Sequence, residues 1–169
     1  MDNRELVEIA KKTGENAYAP YSNFKVGAAL LTKSGNVYQG CNIENSSYGL
    51  TICAERAAIS NAVSNGEKEF IKMAIVGSFA GEYIGKVGGE VGKNIDEEDM
   101  YKTKKNEKEN IKETVKRDIQ EIEDVLIPCG ACMQVMSEFN PDLELILLNT
   151  VRKIITINLK ELFPKPFKL

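Results

Sequence analysis

Two short motifs, far apart in the chain, constrain it more than any other feature: Cys53-Ala54-Glu55 and Pro128-Cys129-Gly130-Ala131-Cys132. Three thiolates can hold a zinc ion in three of its four tetrahedral positions and leave the last for water. That open position separates a catalytic zinc site from a structural one, which a fourth protein ligand usually closes. The chain contains no histidine, so no imidazole can complete the shell. A carboxylate two residues from one ligand, Glu55, is placed to handle the water's proton. The pattern predicts a catalytic centre.

Local structure supports the grouping. Cys129 and Cys132 are three residues apart and face the same way on one helical turn. Pro128 suits a first helical position, where a missing N–H costs nothing. Cys53 begins a second helix, so all three thiolates are expected near helix N-termini, where unpaired N–H groups and the helix dipole favour negative charge. Three thiolates overcompensate Zn²⁺ and leave an anionic shell, which makes a bound water a poorer acid. The helix ends offset part of that charge, and Arg56, next to Glu55, is a second offset.

Along the rest of the chain, Leu6, Ile9, Ala10 and Ala17 give an apolar face that predicts a helix over 3–17, closed by Pro20. Residues 24–32 and 37–41 read as two strands joined through Ser34-Gly35-Asn36, a hairpin signal. Residues 42–51 are polar and irregular. A helix is expected over 53–64, where Ala54, Ala57, Ala58 and Ala62 permit close packing, and a short buried strand at 72–77. A helix at 129–139, strands at 143–148 and 152–157 and a last turn at 159–163 complete the pattern. Strands interspersed with helices imply an α/β layered domain.

Composition excludes several classes. At 169 residues the chain is expected to form one domain. A net charge of −3 and an isoelectric point near 5.2 argue against nucleic acid, which needs a basic surface. No apolar run approaches the roughly 18 residues of a spanning helix, and the opening Met1-Asp2-Asn3-Arg4 lacks a signal peptide's apolar stretch. Four cysteines, three of them committed to zinc, fit a reducing compartment, so the cytoplasm is expected. Cys41, the odd one, reads as a small buried strand residue.

Together with Ala19-Pro20-Tyr21-Ser22-Asn23-Phe24-Lys25-Val26-Gly27-Ala28-Ala29 and Gly40-Cys41-Asn42-Ile43-Glu44-Asn45, the cysteine motifs resemble the small three-cysteine cytidine deaminases among the zinc-dependent deaminases. The resemblance implies a three-layer α/β fold: a mixed five-stranded sheet with helices on both faces, the two cysteine-bearing helices side by side. It implies one Zn²⁺ per subunit held by Cys53, Cys129 and Cys132, with Arg56 hydrogen-bonded to the thiolates. The implied reaction is hydrolytic deamination of cytidine and 2′-deoxycytidine, with Glu55 shuttling protons to N3 and to the leaving amino group. Asn42 and Glu44 are implied to bind the ribose 3′-hydroxyl, Phe24 to wall the pyrimidine, and Ala54 to contact substrate. Tyr48 and Phe167 are implied to reach across subunit boundaries, hence a homotetramer, with no nucleic acid or membrane partner. Read without the resemblance, Asn42 and Glu44 suit a solvated turn, Phe24 a core strand position and Phe167 a frayed tail.

One segment departs from the family pattern, in which only a short loop precedes the Pro-Cys motif. Residues 81–124 carry 13 acidic and 9 basic side chains, begin with a glycine-rich stretch, and contain Ile111, Val115, Ile119 and Ile122 at helical spacing. This insertion reads as a surface excursion, or as a segment that alters access or binds a partner. Two other functions compete with nucleoside deamination. One is deamination of the antibiotic blasticidin S by a related three-cysteine enzyme. The other is a non-catalytic zinc scaffold, against which Glu55 counts. Deaminases of nucleic acid or deoxycytidylate generally use a histidine ligand, which this chain cannot supply.

Overall fold

The computed structural model describes residues 1–79, the backbone of 82–84, and residues 125–149 and 152–168. The charged run and the apolar stripe expected at 111–122 lie outside the described residues. Helix α1 spans Asn3–Gly14, β1 Phe24–Thr32, β2 Val37–Cys41, a 3₁₀ turn Tyr48–Leu50, α2 Ala54–Ser64, β3 Phe70–Phe79 and β4 Glu82–Ile84. Helix α3 (Gly130–Phe139), β5 (Glu144–Leu148), β6 (Ile154–Asn158) and α4 (Leu159–Leu162) follow. None of the described helices is long and apolar enough to cross a membrane.

Five strands form a mixed sheet in the order β2-β1-β3-β5-β6, with the three-residue β4 added beside the end of β3. β1 is antiparallel to both β2 and β3, β3 is parallel to β5, and β5 is antiparallel to β6. Alternation along the central strands assigns their side chains to two cores. Ala28, Leu30, Met73, Ile75, Leu145 and Leu147 face α2 and α3. Ala29, Leu31, Ala74, Val76, Ile146 and Leu148 face Leu6, Val7 and Ala10 of α1. The result is three layers: α1, the sheet, and the α2/α3 pair.

Where α2 crosses β2 the backbones nearly touch. A Cβ on Gly40 would lie 2.3 Å from the Ala58 nitrogen and 2.4 Å from the Ala54 oxygen, so only glycine admits the helix at this depth. This contact sets how far the N-terminus of α2 projects past the sheet. It therefore links a strand residue to the position of Cys53.

The elements differ from the sequence reading at their edges. The helix expected over 3–17 ends at Gly14, because Asn16 and Ala17 bond three residues back, to Thr13 and Gly14. Tyr18 then pairs with Asn42 and Ile43. The strand expected at 72–77 extends to Phe70–Phe79 because β1 pairs along its whole length. Pro128 precedes the cap residue Cys129 and is not the first helical residue: Cys129 is still extended, at φ −66° and ψ 157°. Cys41 is half-buried, not buried.

Candidate active site

Cys53 and Cys129 are the N-cap residues of α2 and α3, and neither uses its side chain to cap its helix. Cys132 follows in the first turn of α3 and is fully buried. The two helix ends meet, and the three Sγ atoms lie within 4.8 Å of one another. Cys53 Sγ is 3.9 Å from Cys129 Sγ. Two vertices of a tetrahedron of Zn–S bonds near 2.3 Å are about 3.8 Å apart. The cluster fits one zinc ion.

The electrostatics around the cluster favour negative charge on one sulfur, that of Cys53. The Cys53 thiol is pulled down to about 5, first by the hydrogen bond from Cys132 and further by Arg56. Cys132 is pushed up, as it holds the proton donated to Cys53 and is buried. Arg56 Nη2 donates to the Thr51 carbonyl at 2.9 Å and approaches Cys53 Sγ at 3.7 Å. Its Nε is buried without a hydrogen-bond partner; an anionic thiolate shell alongside supplies the compensating charge.

Glu55 lies one residue inside α2 and is 5% exposed. Burial is the main reason its carboxyl is raised to about 7, and the nearby Cys53 charge raises it further; a hydrogen bond with the Cys132 thiol acts the other way. A carboxyl poised near neutrality beside a metal-binding cluster can both accept and return a proton.

The remaining candidate residues divide into buried and exposed sets. Asn42 is buried, and its amide extends the β1–β2 ladder past its last backbone pair: Oδ1 accepts from the Val26 N–H at 2.7 Å and Nδ2 donates to the Phe24 carbonyl at 2.9 Å. Glu44 is also buried, with Oε2 accepting from the backbone N–H groups of Tyr21 (2.8 Å) and Ser22 (3.2 Å). Neither sits in a solvated turn. Phe24 packs on Phe79, ring centres 4.7 Å apart and planes tilted by 43°. Ala54 is fully buried between α2 and the sheet. Tyr48 and Phe167 are 65% and 70% exposed.

Sequence reasoning missed contributors at four points: the Thr51 carbonyl under Arg56, the Tyr21 and Ser22 amides under Glu44, Phe79 beside Phe24, and Gln134, which bonds to the Phe167 backbone. The first two are backbone groups with no side-chain signature. Only Phe79, an aromatic ending an apolar run, left a signal.

A three-layer α/β fold whose two helix N-termini present three thiols and a buried glutamate defines a zinc-dependent deaminase class. The model of the cytidine and deoxycytidylate deaminase zinc-binding region matches residues 1–147, and the chain belongs to that family. A cytidine deaminase of Halalkalibacterium halodurans is 36% identical over 168 residues, covering 99% of this chain and 95% of that protein. One from Sporosarcina psychrophila is 34% identical over 168 residues, covering 99% and 92%. The crystal structure of a cytidine deaminase from Burkholderia pseudomallei superposes with a TM-score of 0.69 at 36% identity, covering 99% of this chain and all of that one.

Proposed function

We propose that this chain deaminates cytidine and 2′-deoxycytidine to uridine and 2′-deoxyuridine, releasing ammonia, as a step of pyrimidine salvage in the cytoplasm. The observation that carries the reading is the burial of Glu55 against the three-thiol cluster at the meeting of two helix N-termini. Zinc held by Cys53, Cys129 and Cys132 supplies a Lewis acid that activates water at neutral pH. Glu55 would accept the proton of the attacking water and deliver it to N3 of the cytosine, then take the proton of the new C4 hydroxyl and pass it to the departing amino group as the carbonyl forms. Arg56 spreads positive charge over the thiolates and keeps their shell from suppressing the water's acidity.

Several contacts support the assignment of substrate groups. Glu44 spends one oxygen on Tyr21 and Ser22 and keeps the other for the ribose 3′-hydroxyl, with Asn42 fixed beside it. A buried carboxylate of this kind penalises a sugar lacking its hydroxyl. Phe24 offers a ring face to the pyrimidine, and Ala54 stands at the start of α2 between Cys53 and Glu55. In the proposed homotetramer, Tyr48 and Phe167 serve neighbouring sites. Their exposure supports this, as does that of Ile43, Leu50 and Ile52 from the loop that carries Tyr48 and of Tyr18 from the loop before β1.

The test is to incubate the purified protein with cytidine and follow the ultraviolet change as uridine forms, alongside Glu55→Gln. Turnover abolished in the variant with zinc content intact supports both the reaction and the shuttle. A zinc-loaded wild-type protein inert toward cytidine and deoxycytidine overturns the reading.

A further inference from the structure

After α4 the chain passes Pro164 and Pro166 and returns to α3, where one side chain brackets Phe167. Gln134 Nε2 donates to the Phe167 carbonyl at 2.9 Å, and Gln134 Oε1 accepts from the Phe167 N–H at 2.9 Å. The pair reproduces, with a side-chain amide, the reciprocal two-bond pairing of opposed residues in an antiparallel sheet. Two bonds in opposite senses fix the direction of the backbone as well as its position. Among the described residues this is the sole hydrogen-bonded anchor of 164–168.

What the bracket holds is not a core residue. The Phe167 ring is 70% exposed, so the amide pair stabilises the placement of an aromatic that this chain alone does not bury. Pro166 adds to the effect, since it limits the backbone and has no N–H to compete for Gln134. Gln134 also stands on the helix whose first turn carries Cys132. It therefore ties the ring's position to the same rigid element as the thiols.

We infer that Gln134 is a positioning residue, which holds the Phe167 backbone so that the exposed ring is presented, already ordered, to the pyrimidine bound by a second copy of the chain. The inference rests on the role proposed for Phe167 above. A segment ordered before binding spares the substrate the cost of ordering it. Loss of the bracket therefore acts on KM, whereas kcat, set by groups at the reacting atoms, changes little.

The experiment uses Gln134→Met, which keeps the length and removes both hydrogen bonds, with Gln134→Ala as a second variant should the first fail to fold. Two partly exposed hydrogen bonds correspond to a rise in KM for cytidine of about two- to tenfold. Zinc content and oligomeric size should be unchanged, and Q134M should add nothing in a Phe167→Ala background. The chain has no tryptophan, so F167W gives a single emitter at the bracketed position. Its quenching by acrylamide should increase when Q134M is added. If F167A raises KM but Q134M does not, or if quenching of F167W is unaltered, the positioning role is overturned while the reading of Phe167 stands. If F167A leaves KM unchanged, the reading of Phe167 falls and the positioning role with it.

Discussion

The Phe24 ring lies directly over Gly77: a Cβ placed on Gly77 would come within 2.3 Å of Phe24 Cζ. Leu126 closes the other side of the same space, its Cδ2 at 2.8 Å from that position. The opening strand β1 and the end of β3 are thus packed through an aromatic ring on a bare backbone. Phe79, paired with Phe24 across the two strands, packs its ring on that of Phe24.

Gly77→Ala should therefore overpack the site and tilt the Phe24 ring. The expected loss is about 1–3 kcal/mol of stability, the usual cost of an extra methyl in a filled space. Denaturant unfolding checks the size of the loss, and KM for cytidine should rise because the proposed pyrimidine wall has moved. Trimming the ring in a Phe24→Leu background should recover much of the stability, since the two positions are in contact. Equal losses with and without the ring would mean that the damage lies elsewhere in β3.

Glu44 gives a pH-dependent prediction. The hydrogen bond from Ser22, strengthened by the Tyr21 and Ser22 amides and opposed by burial, holds its carboxyl below the ordinary value of 4.5. A carboxyl lowered by folding contributes stability above its unfolded pKa and loses it as pH falls through the folded one. Glu44→Gln should hence be less stable than wild type at pH 7, with the gap closing as pH drops below about 4.5. Urea unfolding of both proteins across that window tests this. The metal centre is common to both, so its acid sensitivity cancels in the difference. A gap that stays constant down to pH 3.5 would show that the carboxylate's charge is not what the loop holds.

Much of this was legible because strand alternation and cysteine spacing are direct consequences of geometry. β1, β2 and the hairpin between them lie where the pattern places them, as do α2 from Ala54 and α3 up to Phe139. What escaped is what backbone atoms do. Nothing in the letters of Tyr21 or Ser22 indicates that their N–H groups grip Glu44, or that the Thr51 carbonyl seats Arg56. The N-terminal helix stops at Gly14 because Tyr18 is recruited to pair with Ile43, a long-range event that local periodicity does not encode. Pro128 misled by two positions because an extended Cys129 takes the cap and Gly130 is the first helical residue, with the Cys129 thiol turned toward Cys53.

Metal removal should be readable thiol by thiol. Cys53, Cys129 and Cys132 form the cluster, whereas Cys41 sits half-buried in β2 outside it. In the zinc-loaded protein only Cys41 should react with a thiol reagent. A strong chelator should release one zinc per chain and expose three further thiols, detected together by a zinc indicator and thiol titration. Because the ion ties the N-termini of α2 and α3 together, its loss should also lower the midpoint of thermal unfolding, and added zinc should restore it. Cys132→Ser removes the buried ligand and should abolish tight zinc binding, with the unfolding midpoint no longer responding to added metal. Release of zinc with fewer than three thiols gained, or a midpoint indifferent to the metal, would rule out the cluster as the place where zinc is held.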